Sequence, residues 1–549
     1  PLKTVEGEAA TPRVTTVEGN AATALTMTAG GTPRRRRRSS AGDRILPLIG
    51  ALILLGIWIY GGRAGWASGM FVTPAEAVEP IFGESSGVYR RAVAATTWSA
   101  FRGLVIGGSL AFVAALLAAG VPFLRRSITR LAAIANAAPW VAVAPCLIII
   151  LGKSRGPTAV AAIAVFFFIF ISTTVGLSAA PAAAHDVASV LGASRFQRMW
   201  LVQLPAAWPS IADGLKLAAP AALAGAIFGE WYGAPRGLGV LLITAMQSAR
   251  PQQLWAASLL SATIGLLAFA LLAGARSLLA RRFGSTIAES SERPRQRSNR
   301  VAVIAAEVLA FAVLAVLLVT AWWAWIELAD ISGIVVPRPS AVWEDISSSP
   351  GEYVSATFAT LQTAAIALAI GTFVGLTAAL VASRVKLLAG MTIPIVVLMA
   401  ATPLVALFPL FARVIGYQPT TVRLLAAVLV FYPVFVYTRS GLRAANPAAL
   451  DVVDSLGGRP NSRFRSVVLP SAVPHIASGF RIAAGSAVIA AVVGETLIGR
   501  KGLGVEFSSA YNQLQLPRAF GAALVVVGTS LVVFAAAGKF EQVVHHRWT

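Results

Sequence analysis

Apolar runs of about twenty residues, the length of helix that crosses the hydrocarbon core of a bilayer, recur from one end of this chain to the other. On that ruler spans fall near 45–61, 97–121, 131–152, 157–178, 210–231 and 253–276, and again near 301–325, 357–382, 388–412, 420–438, 475–497 and 519–538. The pattern predicts an all-α integral membrane protein of about 12 transmembrane helices, arranged as six and six. Composition agrees: 57% of the 549 residues are hydrophobic, 12% are charged and the mean hydropathy is +0.74, outside the range of soluble domains. The formal charge of +22 does not point to nucleic acid, because such a binder needs a basic face on a soluble fold. A bilayer protein carries excess Lys and Arg for another reason, the retention of basic loops in the cytoplasm.

Five units follow from the pattern. Residues 1–43 read as a disordered basic tail, 44–280 as a first membrane domain, 281–300 as a charged cytoplasmic linker, 301–540 as a second domain and 541–549 as a short tail. Arg34 to Arg38 precede an apolar run with no small-residue cleavage site behind it, which predicts a retained anchor. With both termini inside, Arg125, Arg126, Arg130, Arg384 and Lys386 fall on the cytoplasmic side, and Tyr60, Trp322, Trp323 and Trp325 lie at outer span ends. The lone Cys146 allows no intramolecular disulfide. His185, His475, His545 and His546 lack metal-ligand spacing and are expected in solvated loops or tails, so no metal is assigned.

The second half duplicates the first. Gly457, Pro470, Pro474, Glu495 and Gly502 each lie 265 residues after Gly192, Pro205, Pro209, Glu230 and Gly237, whereas Pro403 and Pro409 follow Pro139 and Pro145 by 264. One residue was therefore gained or lost between the third span and the polar loop of each half. Because each half has an even number of spans, the copies share one orientation and relate by a pseudo-twofold axis along the membrane normal. A path across the membrane would follow that axis.

The polar strings DVASVLGASRFQRMWLVQLP, from Asp186, and DVVDSLGGRPNSRFRSVVLP, from Asp451, fall between the fourth and fifth spans, on the cytoplasmic side. Helix formers lead to Gly192, a residue able to close a helix in the left-handed conformation, and a second amphipathic helix follows. Leu204-Pro205 marks entry to the fifth span, where the missing proline donor would be unpaired in any case. Each string predicts a helix, a turn and a helix projecting from the bilayer.

These strings resemble the cytoplasmic loop of the transmembrane permease subunits of bacterial ABC importers of the type I fold. That loop reads EAA, three residues, Gly, nine residues, Ile, any residue, Leu-Pro. Here the pattern falls on Asp186, Val187, Ala188, Gly192, Val202, Leu204 and Pro205, and on Asp451, Val452, Val453, Gly457, Val467, Leu469 and Pro470. Asp replaces Glu in both copies and Val replaces one or both alanines, while the Gly and Leu-Pro frame is intact. The closest look is to permeases for nitrate, sulfonates and taurine, through the strings FFFIFISTTVG and FYPVFVYTRSG and through GEWYGAPRGLG and GETLIGRKGLG.

The resemblance implies two tandem six-helix permease domains over roughly 44–540, in the bacterial plasma membrane. It implies no enzymatic activity and no bound cofactor in this chain. ATP and Mg would be bound by two copies of a separate cytoplasmic ATPase, docked on the two loops, and an extracytoplasmic solute-binding protein would deliver a small solute. Consistent with that division of labour, GKS at Gly152 to Ser154 lacks the earlier glycine of a phosphate-binding loop, Leu147 standing in its place.

Two further sets of residues stand out. Glu230 and Glu495 sit at the end of the fifth spans, where an ionisable group is costly unless paired or wet, which points to a structural pairing or to the translocation path and its gate. Lys153 and Arg155 lie in the outer turn after the third span, and Arg413 near the matching turn, against the usual charge asymmetry. Docking of the binding protein and attraction of an anion are the two roles such cations support. The rival architecture is an ion-coupled secondary transporter with two parallel six-helix repeats; the loop VPFLRRSITR lacks the acidic signature it requires.

Overall fold

The computed structural model describes residues 41–120, 140–283 and 313–548, apart from scattered positions within 314–335 and 386–406. Most of the N-terminal tail and of the linker, with Arg125, Arg126, Arg130 and Lys386, lies outside the described residues. Among those described, every regular element is helical. The first half contributes α1 (Ala41–Arg63), α2 (Pro74–Phe82), α3 (Ser86–Gly120), α4 (Trp140–Leu151), α5 (Gly156–Ser178), α6 (Ala182–Val190), α7 (Arg195–Glu230), α8 (Leu238–Gln247) and α9 (Pro251–Phe283). The second contributes α10 (Pro339–Ser348), α11 (Pro350–Arg384), α12 (Phe408–Ile415), α13 (Pro419–Arg443), α14 (Pro447–Ser455), α15 (Pro460–Ile498), α16 (Leu503–Asn512) and α17 (Leu516–Trp548). Eight of these, α3, α5, α7, α9, α11, α13, α15 and α17, are long and apolar enough to cross a bilayer.

The duplication is structural to the residue. From α6 to α9 every helix start recurs 265 residues later, in α14 to α17. Earlier in the chain the offset is 264: α3 buries Tyr89, Ala92, Thr96, Ala100, Gly107, Ala115 and Ala118, and α11 buries Tyr353, Ala356, Thr360, Ala364, Gly371, Ala379 and Ala382. Steps of three, four and their sums put these mostly small residues on one stripe, which lets the second span lie close against the fourth. The opposite faces carry exposed Leu110 and Phe373, as helices that meet lipid require. The extra residue enters between Gly152 and Gly176, matched by Gly416 and Gly441, in the turn before the fourth span.

Several boundaries differ from those read off the sequence. The second spans begin at Ser86 and Pro350, where 97 and 357 were expected, because Arg90, Arg91 and Thr96 in one, and Glu352, Ser355 and Thr357 in the other, lower the hydropathy of the first turns without breaking the helix. α1 starts at Ala41 and α9 runs to Phe283, into the expected tail and linker, and α17 continues through 541–548, so that stretch is helix. α2, α8, α10 and α16 are too short for the span ruler and were not foreseen. Nor is His475 in a loop: it lies inside α15, close against Gly441 of α13.

The fifth span departs furthest from its expected form. The helix after the turn at Gly192 does not end at Leu204-Pro205. It runs unbroken from Arg195 to Glu230, and its repeat from Pro460 to Ile498. A single wide turn, Met199–Gln203 and again Phe464–Val468, makes this possible: the N–H of Leu204 reaches back five residues to the Met199 carbonyl, and that of Leu469 to Phe464. Widening the helix there accommodates the ring of Pro205 or Pro470, which would otherwise press on the carbonyl four residues earlier.

Within each half the fifth span packs between the fourth and the sixth. The third-span helices bridge the halves: α4 packs on α5 and α7 of its own half and also touches α15, α16 and α17, and α12, beside α13 and α15, touches α8 and α9. One continuous apolar core, with Phe228, Leu242 and Met246 from the first half and Phe408, Val493 and Phe507 from the second, joins the two.

Candidate coupling and gating site

The turns at Gly192 and Gly457, the candidate coupling turns, close by the same hydrogen bonds. Gly192 has φ +73° and Gly457 φ +72°, a region that a Cβ disfavours. The Ala193 N–H donates to the Ala188 carbonyl at 2.9 Å and Gly192 N–H to Ser189 at 3.1 Å; Gly458 to Val453 and Gly457 to Asp454 repeat both distances. This pair of bonds satisfies carbonyls left free at a helix end. Ala188 and Val453 therefore enter through their carbonyls, which a sequence motif does not distinguish. Arg198 then reaches Ser189 Oγ at 3.0 Å, and Arg463 reaches Asp454 Oδ2 at 2.9 Å, tying the second helix to the first at matching positions. Sequence reasoning passed over these arginines, although their 265-residue spacing was available.

Asp186 and Asp451 are exposed on the first helix of each turn, and Val187, Leu191, Val452 and Leu456 are exposed beside them. Leu204 is buried; Val202, Pro205, Val467, Leu469 and Pro470 are partly covered where the helix enters the bundle. The turns are thus rigid knobs with an apolar tip, each on the end of an unbroken helix.

At the far end of that helix lie the two glutamates, buried to 2% and 3% exposure. The Thr96 hydroxyl donates to Glu230 at 2.8 Å and accepts the Leu238 N–H at 2.8 Å, while the Gly239 N–H donates to Glu230 Oε2 at 2.8 Å. In the repeat, Thr360 donates to Glu495 Oε2 at 2.8 Å, Leu503 N–H donates to Thr360 at 2.9 Å and Gly504 N–H to Glu495 Oε2 at 3.1 Å. Each carboxylate thus meets the free N–H groups and positive dipole end of a short helix, α8 or α16. No cation pairs with either glutamate among the described residues. Gly237 and Gly502, at φ +150° and +129°, lie so close to the carboxyl groups that a Cβ on either would overlap them. Thr96 and Thr360 carried no local signal. Only their 264-residue spacing marked them.

α8 is held at its other end from across the axis. Arg413 of α12 donates Nε to the Met246 carbonyl at 2.7 Å and Nη2 to Gln247 at 3.5 Å, a cation on a helix C-terminus. Tyr232 of the first half meets Phe507 and Tyr511 of α16 edge-on, with centroids 6.4 and 5.4 Å apart. The two halves therefore touch through the short helices that the glutamates anchor. Lys153 and Arg155 are exposed, Lys153 lying over Gly233 of the adjoining loop.

Known sequences match each half of the chain. Residues 103–285 and 371–546 each match the family described as binding-protein-dependent transport system inner membrane component. A probable ABC transporter permease protein of Haemophilus influenzae is 30% identical over 213 residues, 39% of this chain and 87% of that relative. The formylaminopyrimidine transport permease protein of Halalkalibacterium halodurans is 29% identical over 185 residues, 34% of this chain and 74% of its own. The taurine transport system permease protein of Escherichia coli is 29% identical over 209 residues, 37% of this chain and 76% of its own. No solved structure matches. With the domain present twice and well over half of the polypeptide matched, the chain belongs to the inner-membrane permease family of binding-protein-dependent ABC transporters, as two permease domains in tandem.

Proposed function

We propose that this chain forms the whole membrane pathway of an importer that carries a small organic solute inward by alternating access, with one ATPase subunit docked on each coupling turn. The observation that carries this reading is the unbroken helix from each turn to a buried glutamate at the opposite end. A push on the knob is delivered along that helix to the short helices through which the halves meet, so closure of an ATPase dimer becomes rocking of one half against the other. Asp186 and Asp451, beside the apolar tips, are the charges that meet the ATPase. Glu230 and Glu495 act as anchors of the outer closure. Both termini lie in the cytoplasm, and the exposed Lys153 and Arg155 steer the solute-binding protein to the outer mouth, with Arg413 holding the surface behind them.

The relatives carry formylaminopyrimidine and taurine permease names, so the substrate class is a compact organic solute of this kind. Native mass spectrometry of the complex tests the assembly: one copy of this chain per two ATPase subunits is expected, and two copies per ATPase dimer overturns it. A thermal-shift screen of the binding protein against taurine, an alkanesulfonate and formylaminopyrimidine tests the substrate class, because a ligand of the native state raises its melting temperature by mass action. No shift with any of the three rejects it.

A further inference from the structure

Midway between turn and cap, each half carries a charged link between its fifth and sixth spans, and the two links are built with opposite polarity. In the first half the acid is on the fifth span: Asp213 accepts Lys216 Nζ at 3.1 Å and meets Arg276 of α9 at 3.2 Å. In the second half the acid is on the sixth: Arg481 of α15 donates to Glu541 of α17 at 2.8 Å, and Ser478 donates to the same carboxylate at 2.6 Å. The positions correspond at an offset of 265 throughout, Asp213 with Ser478, Lys216 with Arg481 and Arg276 with Glu541. The fifth-span cation lies over the same aromatic ring in both halves, Lys216 5.7 Å from Phe269 and Arg481 4.5 Å from Phe534.

A fourth position changes with them. Ala273 in the first half becomes Gly538 in the second, where a Cβ would stand 3.3 Å from Arg481 Nε, so the broader guanidinium is matched by a smaller neighbour. Three side chains and one backbone position have diverged together while the link between the same two helices survives. Mutual accommodation of this kind marks the contact itself as the retained feature, independent of which helix supplies the acid. Asp213 also stands about 27 Å along the helix from its start at Arg195, inside the span, where a charged group is costly unless paired.

We propose that these links are struts, which make the fifth and sixth spans of each half move as one lever between the coupling turn and the outer cap. Asp213, Lys216, Arg276, Arg481 and Glu541 are positioning residues that act through that lever. The proposal rests on the importer reading above. It explains why the swap was tolerated: a lever needs the attachment and is indifferent to its sign.

The test is a transplant. Arg276→Glu alone leaves two acids facing Lys216, whereas Asp213→Ser, Lys216→Arg, Ala273→Gly and Arg276→Glu together install the second half's arrangement in the first. Two quantities are read on the full-length chain: thermal melting in detergent, and stimulation of ATP hydrolysis by the binding protein after reconstitution with the ATPase. Arg276→Glu is expected to lower the melting temperature and to cut stimulation about fivefold, and the transplant to restore both to within about twofold of wild type. Val165→Ala, a cavity in the buried core away from the link, is expected to lower melting without changing stimulation. A transplant no better than Arg276→Glu, a single variant that couples like wild type, or a Val165→Ala variant that uncouples equally would overturn the strut. Wild type without any stimulation would instead overturn the importer reading, and the melting arm would then decide the ion-pair exchange by itself.

Discussion

The two coupling turns share one backbone and present two different faces. Their glycines differ by one degree in φ and their closing hydrogen bonds match. Yet where the first turn exposes Val190, Phe196, Trp200 and Leu201, the second has Ser455, Asn461, Arg465 and Ser466. Only the tip is common, Val187 and Leu191 against Val452 and Leu456. The turn geometry and the tip are thus the shared requirement, and the flank is free to specialise. On the proposed docking, a first turn with four more apolar side chains on its flank would offer its ATPase subunit a larger desolvated area, and the second would rely more on charge.

The largest effect is expected at the shared geometry. Gly192→Val or Gly457→Val forces a β-branched residue into the left-handed region, at about 1–3 kcal/mol, and each should cut solute uptake in proteoliposomes by roughly tenfold or more. Equal losses at the two sites support equivalent geometry; uptake unchanged in the double variant would reject the role of the turns. Next comes the tip. Leu191→Asp and Leu456→Asp, on side chains 80% and 81% exposed, should weaken ATPase binding by similar factors of about ten, measured by surface titration of the purified subunits.

A smaller and unequal effect belongs to the flank. Phe196→Asn with Trp200→Arg should reduce ATPase affinity about threefold to tenfold and make it more salt-dependent, while Asn461→Phe with Arg465→Trp should do the reverse. If the exchanged flanks leave affinity and salt dependence as they were, the flanks lie outside the contact. The smallest effect is at the ties across each turn. Arg198→Ala and Arg463→Ala should each lower the melting temperature by no more than a few degrees, and added salt should mimic only the second, whose partner is the carboxylate of Asp454.

Much of this architecture was legible because duplication supplies a second copy of each signal. The Gly and Leu-Pro frame, the glutamates and the six-plus-six pattern all stood out as strings kept at constant spacing. What escaped reading was what depends on geometry between distant residues. A proline after a short amphipathic stretch marks a helix start on local grounds, and only a wide turn at Met199–Gln203 lets the helix run through Pro205. The Glu230 partner, Thr96, lies 134 residues earlier on another helix, and a threonine within an apolar run does not announce a hydrogen bond. The polarity of the struts was hidden for the opposite reason. A search for identical residues at 265 passes over positions where Asp213 has become Ser478 and Arg276 has become Glu541.

The bridging position of the third-span helices has a consequence for how the protein is made. α4 packs on α5 and α7 soon after it is synthesised, but its remaining face meets α15, α16 and α17, which follow it in the chain by more than three hundred residues. At about 5–20 residues per second, a ribosome reaches those helices roughly 15–80 s after it has finished α4. For that interval the first domain waits in the membrane with this face of α4 turned to lipid or the insertion machinery. Completion of the first domain is therefore an event in the synthesis of the second, and the tether between them ensures that the partner arrives in the same bilayer, in the right orientation and in equal number.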